Sequence, residues 1–146
     1  MPRVSLAFFT AAALMGTAGM LWGAVMGATH DHTMAPAHAH LNLLGWVTLG
    51  LMGLFYAQAP RLAAGRLAWI HFGLSTAGVL LFIPILAVVL TGADVGALIM
   101  APVLMLLSGM IIFVWQVASA WRSPEGLHDR AASGGTRRDT SLPQRA

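Results

Sequence analysis

Four long apolar stretches occupy most of this chain, and none carries Lys, Arg, Asp or Glu in its interior. They run from Val4 to Gly27, Ala37 to Gln58, Leu67 to Leu90 and Val95 to Trp121. A helix needs about 20 mainly apolar residues to cross a hydrocarbon layer of roughly 30 Å. Each stretch meets that length and is too long for the core helix of a small soluble domain. Composition agrees, because 9% of residues are charged where a soluble domain carries about a quarter.

Each break between spans has its own chemistry. Residues Ala28 to Ala35 hold two His, an Asp and two Thr, and Pro36 suits the first turn of the next helix. Ala59-Pro60-Arg61 stops the second span, and Thr91-Gly92-Ala93-Asp94 separates the third from the fourth. Links this short make neighbours antiparallel, so the expected fold is an all-α membrane protein, an up-down bundle of four transmembrane helices over residues 1–122. The N-terminal segment starts with Arg3 and an apolar run, as a signal peptide does. The run is longer than the usual 7–15 residues and is read as a retained span. Residues 123–146 lack apolar periodicity and are expected to form a disordered cytoplasmic tail.

Arginine sets the orientation. With both termini in the cytoplasm, all eight Arg (positions 3, 61, 66, 122, 130, 137, 138 and 145) fall inside, and the outer links keep only Asp31 and Asp94 as formal charges. That asymmetry is a positive-inside signal for a multi-pass protein of the cell (inner) membrane. The same scatter of arginines at span ends argues against a nucleic-acid patch, despite a pI near 11.2.

The absence of Cys removes disulfides, thiolate metal sites, iron–sulfur clusters and thiol nucleophiles. There are no paired acids, no phosphate loop and no Ser-His-Asp series, so hydrolysis and phosphoryl transfer have no machinery here. Histidine remains. His30, His32, His38 and His40 fall within eleven residues, with Asp31 and Met34 among them. Neutral imidazole is the commonest metal ligand, suited to zinc, copper and iron. On a helix His38 and His40 point about 200° apart, so one faces the bundle and the other faces headgroups or a partner. His40 shares its stripe with Leu44, Val47 and Leu51. The stripe of His38 holds Asn42, Gly45, Leu49, Met52 and Gly53, small enough in places to admit a flat cofactor or a neighbouring helix. His71 lies about 7 Å inside the third span, at the depth of Tyr56 on the second. An ionisable group there is either functional or a neutral ring bonded to Tyr56 or a carbonyl. His40 and His71 are expected some 20–25 Å apart by helix rise, too far to serve one iron. Gly16, Gly23 and Gly27 in the first span predict close helix contact.

The run His38-Ala39-His40-Leu41-Asn42-Leu43-Leu44-Gly45-Trp46-Val47, followed by Gly50-Leu51-Met52-Gly53-Leu54-Phe55-Tyr56, resembles the second helix of the catalytic subunit of haem–copper oxidases and nitric oxide reductases, most of all the cbb3-type branch. Trp69-Ile70-His71-Phe72-Gly73 loosely resembles the start of that family's third helix. The resemblance covers 40 to 60 residues. It implies haem b on His40, with His38 a second choice. The family's subunit has about twelve helices and places its other haem and copper ligands on later ones. This chain has four spans and no His in the last, so it resembles small four-helix relatives, and catalysis by this chain alone is not expected.

Three functional expectations follow. The first is a b-type haem protein for electron transfer or haem handling, with His40 as one ligand and His30, His32 or a neighbouring subunit as the other; its partners would be the bilayer, a redox protein and a second copy or larger complex. The second is an outer-surface copper or zinc site on His30, His32, His38 and His40, with Met34. The third is a cofactor-free accessory subunit of a membrane complex.

Overall fold

The computed structural model describes residues 1–122, and the expected tail at 123–146 lies outside them. Among the described residues the chain is helical and has no strand. Four helices are long and apolar enough to cross a membrane: α1 (Arg3–Thr29), α2 (Ala35–Gln58), α3 (Arg66–Leu90) and α4 (Gly96–Arg122). Each boundary falls within two residues of the apolar stretch that predicted it. Four such helices fit a multi-pass membrane protein.

Local chemistry explains the ends. α1 stops at His30, whose backbone adopts the left-handed conformation at φ 56°, a position more often filled by Gly or Asn. Asp31 then organises the link by accepting from the Thr33 amide at 2.9 Å and from its hydroxyl at 2.6 Å. Pro36 sits in the first turn of α2, where its missing N–H leaves no helical bond unmade. After Gln58, Pro60–Ala63 forms one further helical turn before α3 begins.

Helix α2 is not uniform. Leu41–Thr48 winds as a π-helix, with hydrogen bonds reaching five residues back instead of four. The Thr48 hydroxyl repeats that reach by donating to the Leu43 carbonyl at 2.8 Å. The wider winding keeps Leu41, Gly45 and Leu49 buried at steps of four, before the α-helical register resumes at Met52, Gly53 and Tyr56.

Between helices inside lipid there is no hydrophobic drive, so close packing and interhelical hydrogen bonds carry association. The α1–α2 seam shows both. Phe8 meets Gly53, Met15 meets Gly45, Trp46 lies over Gly16, Asn42 over Gly19 and His38 over Gly23. These partners climb α1 as they descend α2. A β-carbon at Gly19 would stand 2.5 Å from Asn42 Oδ1, so any larger residue there would have to displace the Asn42 side chain. Gly27, by contrast, has nothing within 4 Å of such a carbon; of the expected Gly23–Gly27 pair, only Gly23 is a packing position. At the arginine-bearing end the buried Ser5 hydroxyl donates to the Gly53 carbonyl at 2.8 Å. Helix α4 packs on α3 through Gly78 against Leu106 and Gly109 against Ser75.

Candidate functional site

Two groups of polar side chains stand out, one at each end of the helices. The first follows from the crossing of α2, α3 and α4 near the arginine-bearing end. His71 and Tyr56 are both 0% exposed. Phe8 stands 5.2 Å from the imidazole centroid, and Phe113 stacks on it at 5.6 Å and 24°. In so apolar a place each polar atom needs a partner. Gln116 of α4, itself buried, donates its amide to the Tyr56 oxygen at 3.3 Å. Tyr56 and His71 Nδ1 are 2.9 Å apart. The buried phenol O–H needs an acceptor, and among the described residues Nδ1 is the one within reach, which assigns the imidazole proton to Nε2. That atom is buried and, among the described residues, has no hydrogen-bond partner.

The Tyr56–His71 bond is the bland alternative weighed for His71 from sequence. Gln116 was not anticipated. It is the only amide side chain in the fourth span, and that rarity was the available signal.

The second group is the histidine-rich end. His30 and His32 are exposed in the α1–α2 link, where His32 Nδ1 donates to the His30 carbonyl at 3.2 Å. His38 is half-buried with its ring against Gly23 of α1, so a neighbouring helix occupies the space beside its stripe. Asn42 Nδ2 donates to the His38 carbonyl at 3.0 Å and lies 3.4 Å from both ring nitrogens.

His40 turns the other way. It is exposed, and its ring lies 5.5 Å from that of Phe82 on α3. Its Nδ1 donates to the Pro36 carbonyl at 2.7 Å. A carbonyl can only accept, so the proton is on Nδ1 and Nε2 carries the free lone pair. Metal-ligating histidines have this arrangement, with the second ring nitrogen donating to a carbonyl or carboxylate that fixes tautomer and orientation. Below His40, Leu44 is half-buried while Val47 and Leu51 are 43% and 59% exposed, making an apolar strip along α2.

The two groups do not merge. Phe82, level with His40, is eleven residues from His71 on α3, about 16 Å of helix rise. Among the described residues no three His, Asp or Glu side chains gather to hold a metal ion. The four histidines at this end are thus distributed over a link and two faces of α2. Asp31, the one acid close to them in sequence, spends its carboxylate on Thr33, and those hydrogen bonds hold its pKa below the ordinary 3.8.

Comparison with known proteins adds no assignment: no family model matches this chain, and neither a characterised protein nor a solved structure does.

Proposed function

We propose that this chain is an inner-membrane b-type haem protein, serving electron transfer or haem handling, in which His40 supplies an axial ligand. Its four helices would form an antiparallel bundle with both termini in the cytoplasm, as the arginine distribution implies, which puts His40 at the outer face. The observation that carries the reading is the His40 Nδ1–Pro36 bond of 2.7 Å. It leaves an exposed imidazole with its lone pair free and its ring held, next to an apolar strip that suits a flat macrocycle. Cofactors of this class need such a strip to exclude water and a fixed imidazole to set the iron's potential.

Haem, when bound, supplies a one-electron couple. The chain's own contribution is orientation: Pro36 fixes the tautomer, Phe82 limits ring rotation, and Leu44, Val47 and Leu51 supply the apolar wall. Among the described residues no second free imidazole lies beside His40. A further ligand would come from a second copy or a partner subunit, which makes oligomerisation part of the site. The proposal is limited to haem binding and does not extend to catalysis by this chain alone.

The test is the absorption spectrum of the protein purified in mild detergent from a haem-sufficient host, with metal analysis on the same sample. A Soret band with sharp reduced α and β bands, lost in His40→Ala and kept in His38→Ala, is the expected result. An equally intense Soret band in His40→Ala would move the ligand elsewhere. Protein free of haem but carrying stoichiometric copper or zinc would replace this reading by the outer metal site.

A further inference from the structure

Three elements converge at the arginine-bearing end: the start of α1, the turn Pro60–Ala63 and the first turns of α3. Between them lies a cleft of about 500 Å³, lined by Arg3, Val4, Pro60, Ala63 and Trp69 among others. Val4 and Ala63 are 1% and 4% exposed and give the cleft a packed apolar wall. Arg3 and Trp69 are exposed. Charge is distributed as unevenly as shape. Arg61 and Arg66 belong to the same turn and the same helix start, and Arg122 ends α4 with its guanidinium 6.0 Å from the Trp115 ring. The acids among the described residues, Asp31 and Asp94, both lie in links at the opposite end. Glu125, Asp129 and Asp139 fall outside the described residues.

We infer that this cleft binds an anionic phospholipid, with the Arg3 guanidinium on the phosphate and the wall of Val4 and Ala63 against the start of an acyl chain. Three features select that class. A guanidinium presents a planar fork of N–H donors that matches the oxygens of a phosphate. No acid among the described residues offsets the arginines of this end, and basic pockets between membrane helices hold anionic headgroups for that reason. The cleft also joins an arginine to an apolar wall and to a Trp, a residue type that collects at headgroup level; a phospholipid is divided in the same way. A soluble phosphate ester would use the guanidinium and leave the apolar wall uncovered. The inference rests on the four helices spanning a bilayer and on nothing in the haem reading.

The experiment is native mass spectrometry of the full-length protein in detergent, titrated with phosphatidylglycerol or with phosphatidylcholine of identical acyl chains. Phosphatidylglycerol should be retained in preference by about fivefold, the worth of one arginine near an anionic surface. Arg3→Gln should remove that preference, and Arg3→Lys should restore part of it, since the charge returns without the fork. Arg122→Gln, at the same end but outside the cleft, should leave the preference intact. Equal retention of the two lipids by the unmodified protein would overturn the inference. So would equal losses in Arg3→Gln and Arg122→Gln, which would reduce the effect to general attraction between a basic end and an acidic surface. Displacement of bound phosphatidylglycerol by millimolar inorganic phosphate would overturn it as well, by assigning the cleft to a soluble anion. His40→Ala should retain the lipid as the unmodified protein does, so failure of either reading leaves the other standing.

Discussion

The two ends of the molecule treat histidine in opposite ways. At the arginine-bearing end, His71 is sealed among Phe8, Tyr56 and Phe113, and its side-chain hydrogen bond among the described residues ties α3 to α2. At the other end, His40 is exposed and bonds within its own helix to Pro36. The same ring is therefore part of the fold in one place and free of it in the other. A ring nitrogen buried in hydrocarbon must find a protein partner or lose a hydrogen bond outright, whereas one at the membrane surface keeps water as an alternative. Under the proposed function the open coordination position falls to the second kind, while the first locks helices together.

Removing the ring should separate the two most sharply. His71→Ala leaves a cavity and an unpaired Tyr56 hydroxyl, together destabilising by about 3 kcal/mol. His40→Ala removes an exposed side chain and should change stability by under about 0.5 kcal/mol. Equilibrium unfolding of both variants by SDS titration in mixed micelles checks the pair. Equal losses would mean that His40 is as much a part of the packing as His71, and the contrast would fail.

Next in size is the α1–α2 seam, which divides the glycines in the same manner. Gly19→Val drives a branched side chain into Asn42 and should be destabilising by about 2 kcal/mol. Gly27→Val meets open space and should be near neutral, within about 0.5 kcal/mol apart from helix propensity. The same unfolding assay reads both, and a Gly27 effect as large as that of Gly19 would show that a partner covers this end of α1.

These glycines also mark what sequence could and could not deliver. The four spans were legible because length and the absence of charge are properties of the segment itself, so Arg66–Leu90 was predicted to within a residue. The opposed faces of His38 and His40 followed from helix geometry alone. Which face met α1 did not follow, because that depends on Gly16, Gly19 and Gly23 lining up with Trp46, Asn42 and His38. Gly19 escaped notice for this reason, while Gly27, in a better motif, packs against nothing. The π-helical turn over Leu41–Thr48 was equally invisible, since it shifts the register without altering composition. Gln116 shows the same limit: its partner is sixty residues away, and only the tertiary structure brings them together.

A smaller effect sharpens the account of the buried end. Tyr56→Phe removes the hydroxyl but keeps the stacked ring against Phe8, and should be destabilising by about 1 kcal/mol. Because Gln116 donates to that same oxygen, Gln116→Leu should lose most of its effect in the Tyr56→Phe background. A coupling of about 0.6 kcal/mol is expected for an interhelical bond in a membrane protein. Additive losses would mean that Gln116 acts through packing alone.

The smallest effect lies in the exposed link at the histidine-rich end. Asp31 accepts the Thr33 hydroxyl and amide, and the hydroxyl is the larger cause of its lowered pKa, followed by the amide. A carboxylate whose folded pKa lies below its unfolded value contributes its stabilisation in full above the unfolded value, and loses it as pH falls through the folded one. The turn should therefore be unchanged from neutral pH down to the ordinary carboxylate range near 3.8 and open only below it. Carbon-13 NMR titration of the Asp31 carboxyl should give a midpoint below 3.8, and Thr33→Ala should raise it part of the way while leaving the amide bond in place. If Thr33→Ala left the Asp31 midpoint where it was, the hydroxyl would not be the larger cause, and the order of the two hydrogen bonds in holding the carboxylate ionised would be wrong.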